Sequence, residues 1–144
     1  MEFDPESNVV KLCAEGMSME GQGKPDEANR LFLQAWSEST DDFEKFIAAH
    51  YVARHQRTVS EKLRWDEVAL RLALKVDSGS GASVEEFLPS LYLNVAACYE
   101  KLNDFDSAII NYELASSYAH SLQGDGYGQM IRAGIAQGIA RVTQ

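Results

Sequence analysis

One spacing pattern occurs twice in this chain, and it leaves little freedom in how those two stretches can fold. Residues 10–40 contain Leu12, Gly16 and Met19, followed by Ala28, Phe32 and Ala35. Residues 90–120 contain Tyr92, Ala96 and Tyr99, followed by Ala108, Tyr112 and Ala115. The intervals within the two sets are identical. Residues three, four and seven apart share one face of an α-helix, so each stretch reads as two amphipathic helices. A small residue on the first helix receives a large one from the second, which lets two antiparallel helices approach closely.

The helical period continues through the rest of the chain, and seven helices with no strands are expected. The first spans about Ser7 to Glu20 and is ended by Gly21-Gln22-Gly23. Pro25 opens the second, where its missing N–H would be unpaired anyway. That helix carries the stripe Ala28, Leu31, Phe32, Ala35 and Trp36. Capping residues Ser39 to Asp42 precede a third helix, from about Asp42 to His55. Thr58 and Glu61 have the spacing of a capping box, so a fourth helix starts near Val59, with Trp65, Val68, Ala69, Leu72 and Val76 on one stripe. Residues 77–82 (Asp-Ser-Gly-Ser-Gly-Ala) are the clearest break. Ser83 and Glu86 repeat the capping-box spacing, and Pro89 leaves the next first turn kinked or separate. The fifth helix runs to about Leu102, Asn103-Asp104 forms a turn, and the sixth holds Ala108 to Ala119. Gly124, Gly126 and Gly128 read as loop glycines before a last helix striped with Ile131, Ile135, Ile139 and Val142. Gly134 and Gly138 allow that helix to approach a neighbour closely.

The paired helices resemble the tetratricopeptide repeat, a helix–turn–helix unit of about 34 residues. The resemblance implies an all-α fold: a right-handed α–α superhelix of about three such units plus a C-terminal capping helix. The units fall at 7–40, 41–77 and 84–121 and the cap at 127–143, within one domain spanning residues 1–144. Residues 41–77 match the pattern least. One register takes Ala69 and Leu70 as the late small–large pair; another takes Trp65, Ala69 and Leu72.

Composition narrows the function. With 45% hydrophobic residues the chain can bury an adequate core, yet no stretch is long and apolar enough to cross a bilayer. The acidic N-terminus lacks the layout of a secretory signal, so a cytoplasmic location is expected. Cys13 and Cys98 are expected as reduced, partly buried thiols. The net charge of −9 is uneven: residues 45–75 carry seven Lys or Arg against three acids. An acidic protein with a basic waist is a poor nucleic-acid binder overall, although the waist can attract an acidic peptide.

Catalytic templates are missing. There is no His-Glu-x-x-His, no Gly-x-Ser-x-Gly and no phosphate loop. An enzyme such as an rRNA methyltransferase needs a strand–glycine loop–helix site, and no strand pattern exists. No cofactor or metal is expected. The densest polar cluster is residues 50–57, where His50 shares a helix face with Arg54, and Tyr51 with His55. His50 and Arg54 either line a groove and receive an anion or pack between units. Trp36, Trp65, Tyr92, Tyr99 and Tyr112 are expected in the core, with Tyr118 and Tyr127 as candidate surface anchors.

In the family that the chain resembles, the first helices of successive units line a concave surface. Here that surface would hold Cys13, Met17 and Glu20, then Leu93, Asn94, Ala97 and Lys101. Met17, His50, Arg54, Asn94, Ala97 and Lys101 are thus the candidate contacts of a protein- or peptide-binding scaffold. The alternative is a structural role in which the chain associates with itself as a homodimer.

Overall fold

The structure, a computed structural model, describes residues 6–79 and 84–144, without the side chains of 77–79. The described residues form seven α-helices and two short 3-10 turns, with no strand among them. They divide into two compact units, Met1–Ala82 and Ser83–Gln144. Each is built on a helical hairpin of the kind that the repeated spacing predicts.

The first unit contains α1 (Asn8–Gly21), α2 (Pro25–Glu38), α3 (Asp42–Ala53) and α4 (Val59–Gly79). Ser7 caps α1 by accepting from the Val10 N–H, and Asp41 caps α3 by accepting from the Glu44 N–H. Thr58 accepts from the Glu61 N–H as the box spacing requires, and its hydroxyl meets the Glu61 carboxylate at 3.2 Å. Helix α1 packs on α2 and α3 on α4, while α3 also packs against α1 and α2. The core joins Leu12, Cys13, Ala28, Phe32, Ala35, Ala48 and Val52. Gly16 is required here: a Cβ on it would lie 2.4 Å from the Phe32 ring.

The second unit contains α5 (Leu88–Lys101), α6 (Phe105–Ser117) and α7 (Gly126–Val142). A 3-10 turn at Glu85–Phe87 precedes α5, so the turn before Pro89 is indeed separate. Helix α7 packs against both α5 and α6. Ala96, Ala108 and Tyr112 form the fully buried centre. Gly138 admits the Tyr112 ring, which a Cβ would meet at 2.3 Å.

The two hairpins turn the same way. Gly23 and Asn103 both take positive φ, 74° and 64°. In each case the next N–H, of Lys24 or Asp104, donates back to the carbonyl of Met19 or Tyr99 at 2.9 Å. This left-handed closure satisfies carbonyls that the helix end would leave unpaired.

Several boundaries differ from the sequence reading. Helix α3 ends at Ala53, before His55. Helix α4 runs on through Asp77, Ser78 and Gly79, because three weak helix formers at the end of a long packed helix do not outweigh its propagation. The rest of the expected break, with Ser83, lies outside the described residues. Helix α6 stops at Ser117, and Ala119 belongs to a 3-10 turn, Ala119–Ser121. Gly126 and Gly128 are not loop glycines; they form the first turn of α7, capped by Asp125. Gly128 is needed there, since a Cβ would collide with the Gln123 carbonyl oxygen.

Helices α3 and α4 begin 34 residues after α1 and α2. About one unit length, 34 residues, separates Leu12 from Phe46, Gly16 from His50, Ala28 from Lys62, Phe32 from Asp66 and Ala35 from Ala69. Phe46, Asp66 and Ala69 are buried like their counterparts. Three polar residues, His50, Lys62 and Asp66, therefore stand where the other hairpins place a small–small–large apolar set.

Candidate functional site

The candidate residues divide between the two units: Met17, His50 and Arg54 lie on α1 and on α3 and its C-cap, and Asn94, Ala97 and Lys101 on α5. In the first unit Met17 projects from α1, 42% exposed. One turn along the same face stands Glu20. Its carboxylate accepts from the Arg54 guanidinium at 3.2 Å and contacts His55 Nε2 at 2.7 Å. The Arg54 guanidinium also lies 5.4 Å from the centre of the Tyr51 ring. Met17, Glu20 and Arg54 are thus one contiguous patch joining α1 to the C-terminal end of α3.

His50 does not belong to that patch. Its Nδ1 is buried without a hydrogen-bond partner. Burial, with Arg54 and Lys62 nearby, pushes its pKa down to about 4, so the ring is neutral at pH 7. It sits edge-on to Tyr51, at 5.2 Å between centroids. In the same hairpin Lys62 donates to the buried Asp66 carboxylate at 2.6 Å. His55 and Tyr51, by contrast, both stack on Phe32, at 5.6 and 5.0 Å. The pairing of Tyr51 with His55 on one face holds as read from sequence.

Cys13 cannot line a groove. It is 3% exposed, and burial pushes its thiol up to about 12. Cys13 belongs to the core cluster that also holds Ala48 and Val52, whereas Met17, one turn further along α1, is exposed. Cys98 is likewise buried, and neither cysteine is in a disulfide.

In the second unit Asn94, Ala97 and Lys101 follow one another along α5 at three- and four-residue steps, on one face. Asn94 and Ala97 are half-buried and Lys101 is exposed. At the end of this helix Glu100 accepts two bonds from Arg141 of α7, at 2.8 and 3.2 Å, and one from the Tyr112 hydroxyl at 2.6 Å. These donors hold the Glu100 carboxyl below its usual range.

Comparison with known proteins yields no match to any family model, curated protein or solved structure. The surfaces themselves therefore carry the functional reading. Among the described residues no three metal-ligating side chains cluster, and no helix is long and apolar enough to cross a membrane.

Two features escaped the sequence reading. The first is the glutamate–arginine pair that closes each unit, Glu20–Arg54 and Glu100–Arg141. Both glutamates directly follow the third residue of the repeated pattern (Met19 or Tyr99), and that coincidence was the available signal. The second concerns Trp36 and Trp65, expected in the core. Both are only half-buried, and they meet edge to face at 5.1 Å. Together with Gln56, Glu61, Arg64 and Val68 they line a cleft of about 310 Å³. Tyr118 is no free anchor either, because its ring stacks on Tyr92 at 5.8 Å. Tyr127 is exposed, as expected of an anchor.

Proposed function

We propose that this chain is a protein-binding module of the tetratricopeptide type, without catalytic chemistry of its own. A partner segment lies on the exposed side of α1 and the end of α3 in the first unit, or of α5 in the second. The Met17–Glu20–Arg54 patch carries this reading. It combines an adaptable thioether with a guanidinium that Glu20 holds in place, so little side-chain freedom is lost when a ligand arrives. Arg54 keeps further N–H donors for a carbonyl or carboxylate. Asn94, Ala97 and Lys101 supply a comparable stripe on α5, where the Asn amide can pair with peptide backbone. The repeat reading draws support from the two hairpins, which share spacing, turn conformation and closing ion pair.

The test is a pull-down from host lysate with three baits: wild type, Met17→Glu/Arg54→Ala, and Asn94→Ala/Lys101→Ala. Circular dichroism confirms that each is folded. A partner retained by wild type and lost by either variant supports the reading. Equal recovery by all three overturns these faces as the binding surface.

A second reading, self-association, rests on a separate observation. Phe105, Ile110 and Leu114 on α6 and Tyr127 and Met130 on α7 are large apolar residues left exposed. Apolar exposure of this kind marks interaction surfaces. Sedimentation equilibrium decides it: a dimer mass that reverts to monomer in Ile110→Glu/Met130→Glu would support it.

A further inference from the structure

We propose that the cleft between Trp36 and Trp65 is a second binding site, which takes an acidic peptide segment through one large aliphatic or aromatic side chain. The proposal stands apart from the α1–α3 face, because every residue lining the cleft comes from α2, α4 or the turn before α4. Three observations lead to it.

First, the floor is aromatic and incompletely covered. Trp36 and Trp65 are each half-buried and meet edge to face at 5.1 Å, so both rings keep part of their surface open to the cleft. A cleft of about 310 Å³ is at the small end for a ligand site and suits one bulky side chain with its backbone.

Second, the lining holds one arginine, Arg64, and one carboxylate, Glu61. Arg57, Arg64 and Arg71 recur at seven-residue intervals, so Arg64 and Arg71 lie along one stripe of α4 and Arg57 stands just before its start. All three are exposed, and none has an ion-pair partner among the described residues. Arg54, the other arginine of this region, is already held by Glu20. Of the three, Arg64 lines the cleft; Arg57 directly follows the lining residue Gln56, and Arg71 lies one helical turn beyond the lining residue Val68.

Third, the charge pattern selects the ligand class. A planar guanidinium pairs with a carboxylate through two parallel N–H bonds. Unpaired arginines in a chain of net charge −9 favour a short acidic segment that reaches them locally. The charge of the whole chain and Glu61 in the lining repel any anion, and a long polyphosphate strand, which carries more charge than a short acidic segment, is repelled more.

The chain has two tryptophans, and both line the cleft, so tryptophan emission reports on this site alone. The probes are acetylated, amidated nonapeptides of Asp and Glu around a central Leu or Phe. Controls replace the central residue by Ser, or the acids by Lys; a short oligothymidine serves as the nucleic-acid control. The expected result is a saturable emission change with the Leu or Phe acidic peptides, weakened roughly tenfold in Arg64→Glu and by added salt. Because Arg64 is exposed and unpaired, that variant keeps the fold, which circular dichroism verifies. No saturable change up to millimolar peptide overturns the proposal, as does an equal response to the Ser or Lys controls. A tighter response to oligothymidine overturns it in favour of single-stranded nucleic acid. Amide shift mapping separates the two sites: shifts confined to Met17, Glu20 and Arg54 would leave the α1–α3 face standing and remove the cleft.

Discussion

Glu100 and Arg141 meet through two hydrogen bonds, and the buried Tyr112 hydroxyl donates to the same carboxylate. The pair ties the end of α5 to the end of α7 and satisfies a phenol whose ring is fully buried. Glu20 does the equivalent work between α1 and α3, with Arg54 and His55 as its donors. There the buried ring is Phe32, which has no hydroxyl, and His55 takes the second place on the carboxylate.

This relationship sets the expected effect of removing either partner. Glu100→Ala leaves the Tyr112 hydroxyl without its acceptor and lowers stability by about 1–2 kcal/mol. Tyr112→Phe, which copies the Phe32 arrangement, costs about 1 kcal/mol or less. The exposed Arg141 contributes little beyond the pair itself, so Arg141→Ala has the smaller effect. Urea unfolding followed by far-ultraviolet circular dichroism ranks the three.

Gly16 and Gly138 are expected to be intolerant of alanine, despite its better helix propensity. The added Cβ meets the Phe32 or Tyr112 ring well inside contact distance. Overpacking of this kind costs about 1–3 kcal/mol, against a propensity gain of about 1 kcal/mol. Combining Gly138→Ala with Tyr112→Leu should recover part of the loss. A double-mutant cycle by thermal unfolding measures the coupling, and simple additivity would remove the claimed contact.

Acid should weaken the first unit before its carboxylates titrate. His50 has its pKa lowered from 6.5 to about 4 by burial and by two nearby cations. The unfolded chain therefore binds a proton in this window that the folded chain refuses. Stability is intact above about pH 6.5 and falls as the pH drops toward 4, by roughly 3 kcal/mol in total. Glu44 and Glu100, whose pKa values are also lowered, add their loss at still lower pH. In His50→Ala the decline between pH 6.5 and 4.5 should flatten. Urea midpoints followed by tryptophan fluorescence test this, and an unchanged slope would assign the pH dependence elsewhere.

The polar set in the middle hairpin gives opposite expectations for one change and for three. Asp66→Ala removes the acceptor of the partly exposed Lys62 ammonium and leaves a gap in the core, and should cost about 1–3 kcal/mol. His50→Ala, Lys62→Ala and Asp66→Phe together restore the small–small–large set of the flanking hairpins. That triple variant is expected to be as stable as wild type or more so, since apolar packing often matches a buried ion pair. A large loss in the triple variant would show that the polar set is required for this hairpin to fold.

Much of the helical framework was legible in the sequence because its causes are local. Asp41 and Thr58 cap their helices as the sequence indicates, Asn103 adopts the left-handed turn, and Gly138 opens a path for a ring. Ala28, Ala35, Ala108 and Ala115 are fully buried, as a small–large–small stripe requires. Each inference needs residues within a few positions of one another, or the steric demands of one side chain.

The candidate contacts were legible only in part. Periodicity places a residue on a face but does not say what occupies the space opposite. Met17 and Cys13 lie one turn apart on α1, yet one is exposed and the other buried in the core. His50 and Arg54 are also one turn apart, yet one ring is buried beside Lys62 while the other side chain reaches Glu20. Arg57, Arg64 and Arg71 look no different from Arg54 in sequence; it is the presence or absence of a carboxylate across the fold that separates them.

The order of residues alone therefore established an all-helical chain, its hairpin turns, most of its caps and the small residues that admit large ones. Folding in three dimensions selected the partners of each charge and the exposure of the two tryptophans. The reason is physical. Helix formation depends on hydrogen bonds four residues apart, whereas burial and ion pairing depend on side chains that only packing brings together.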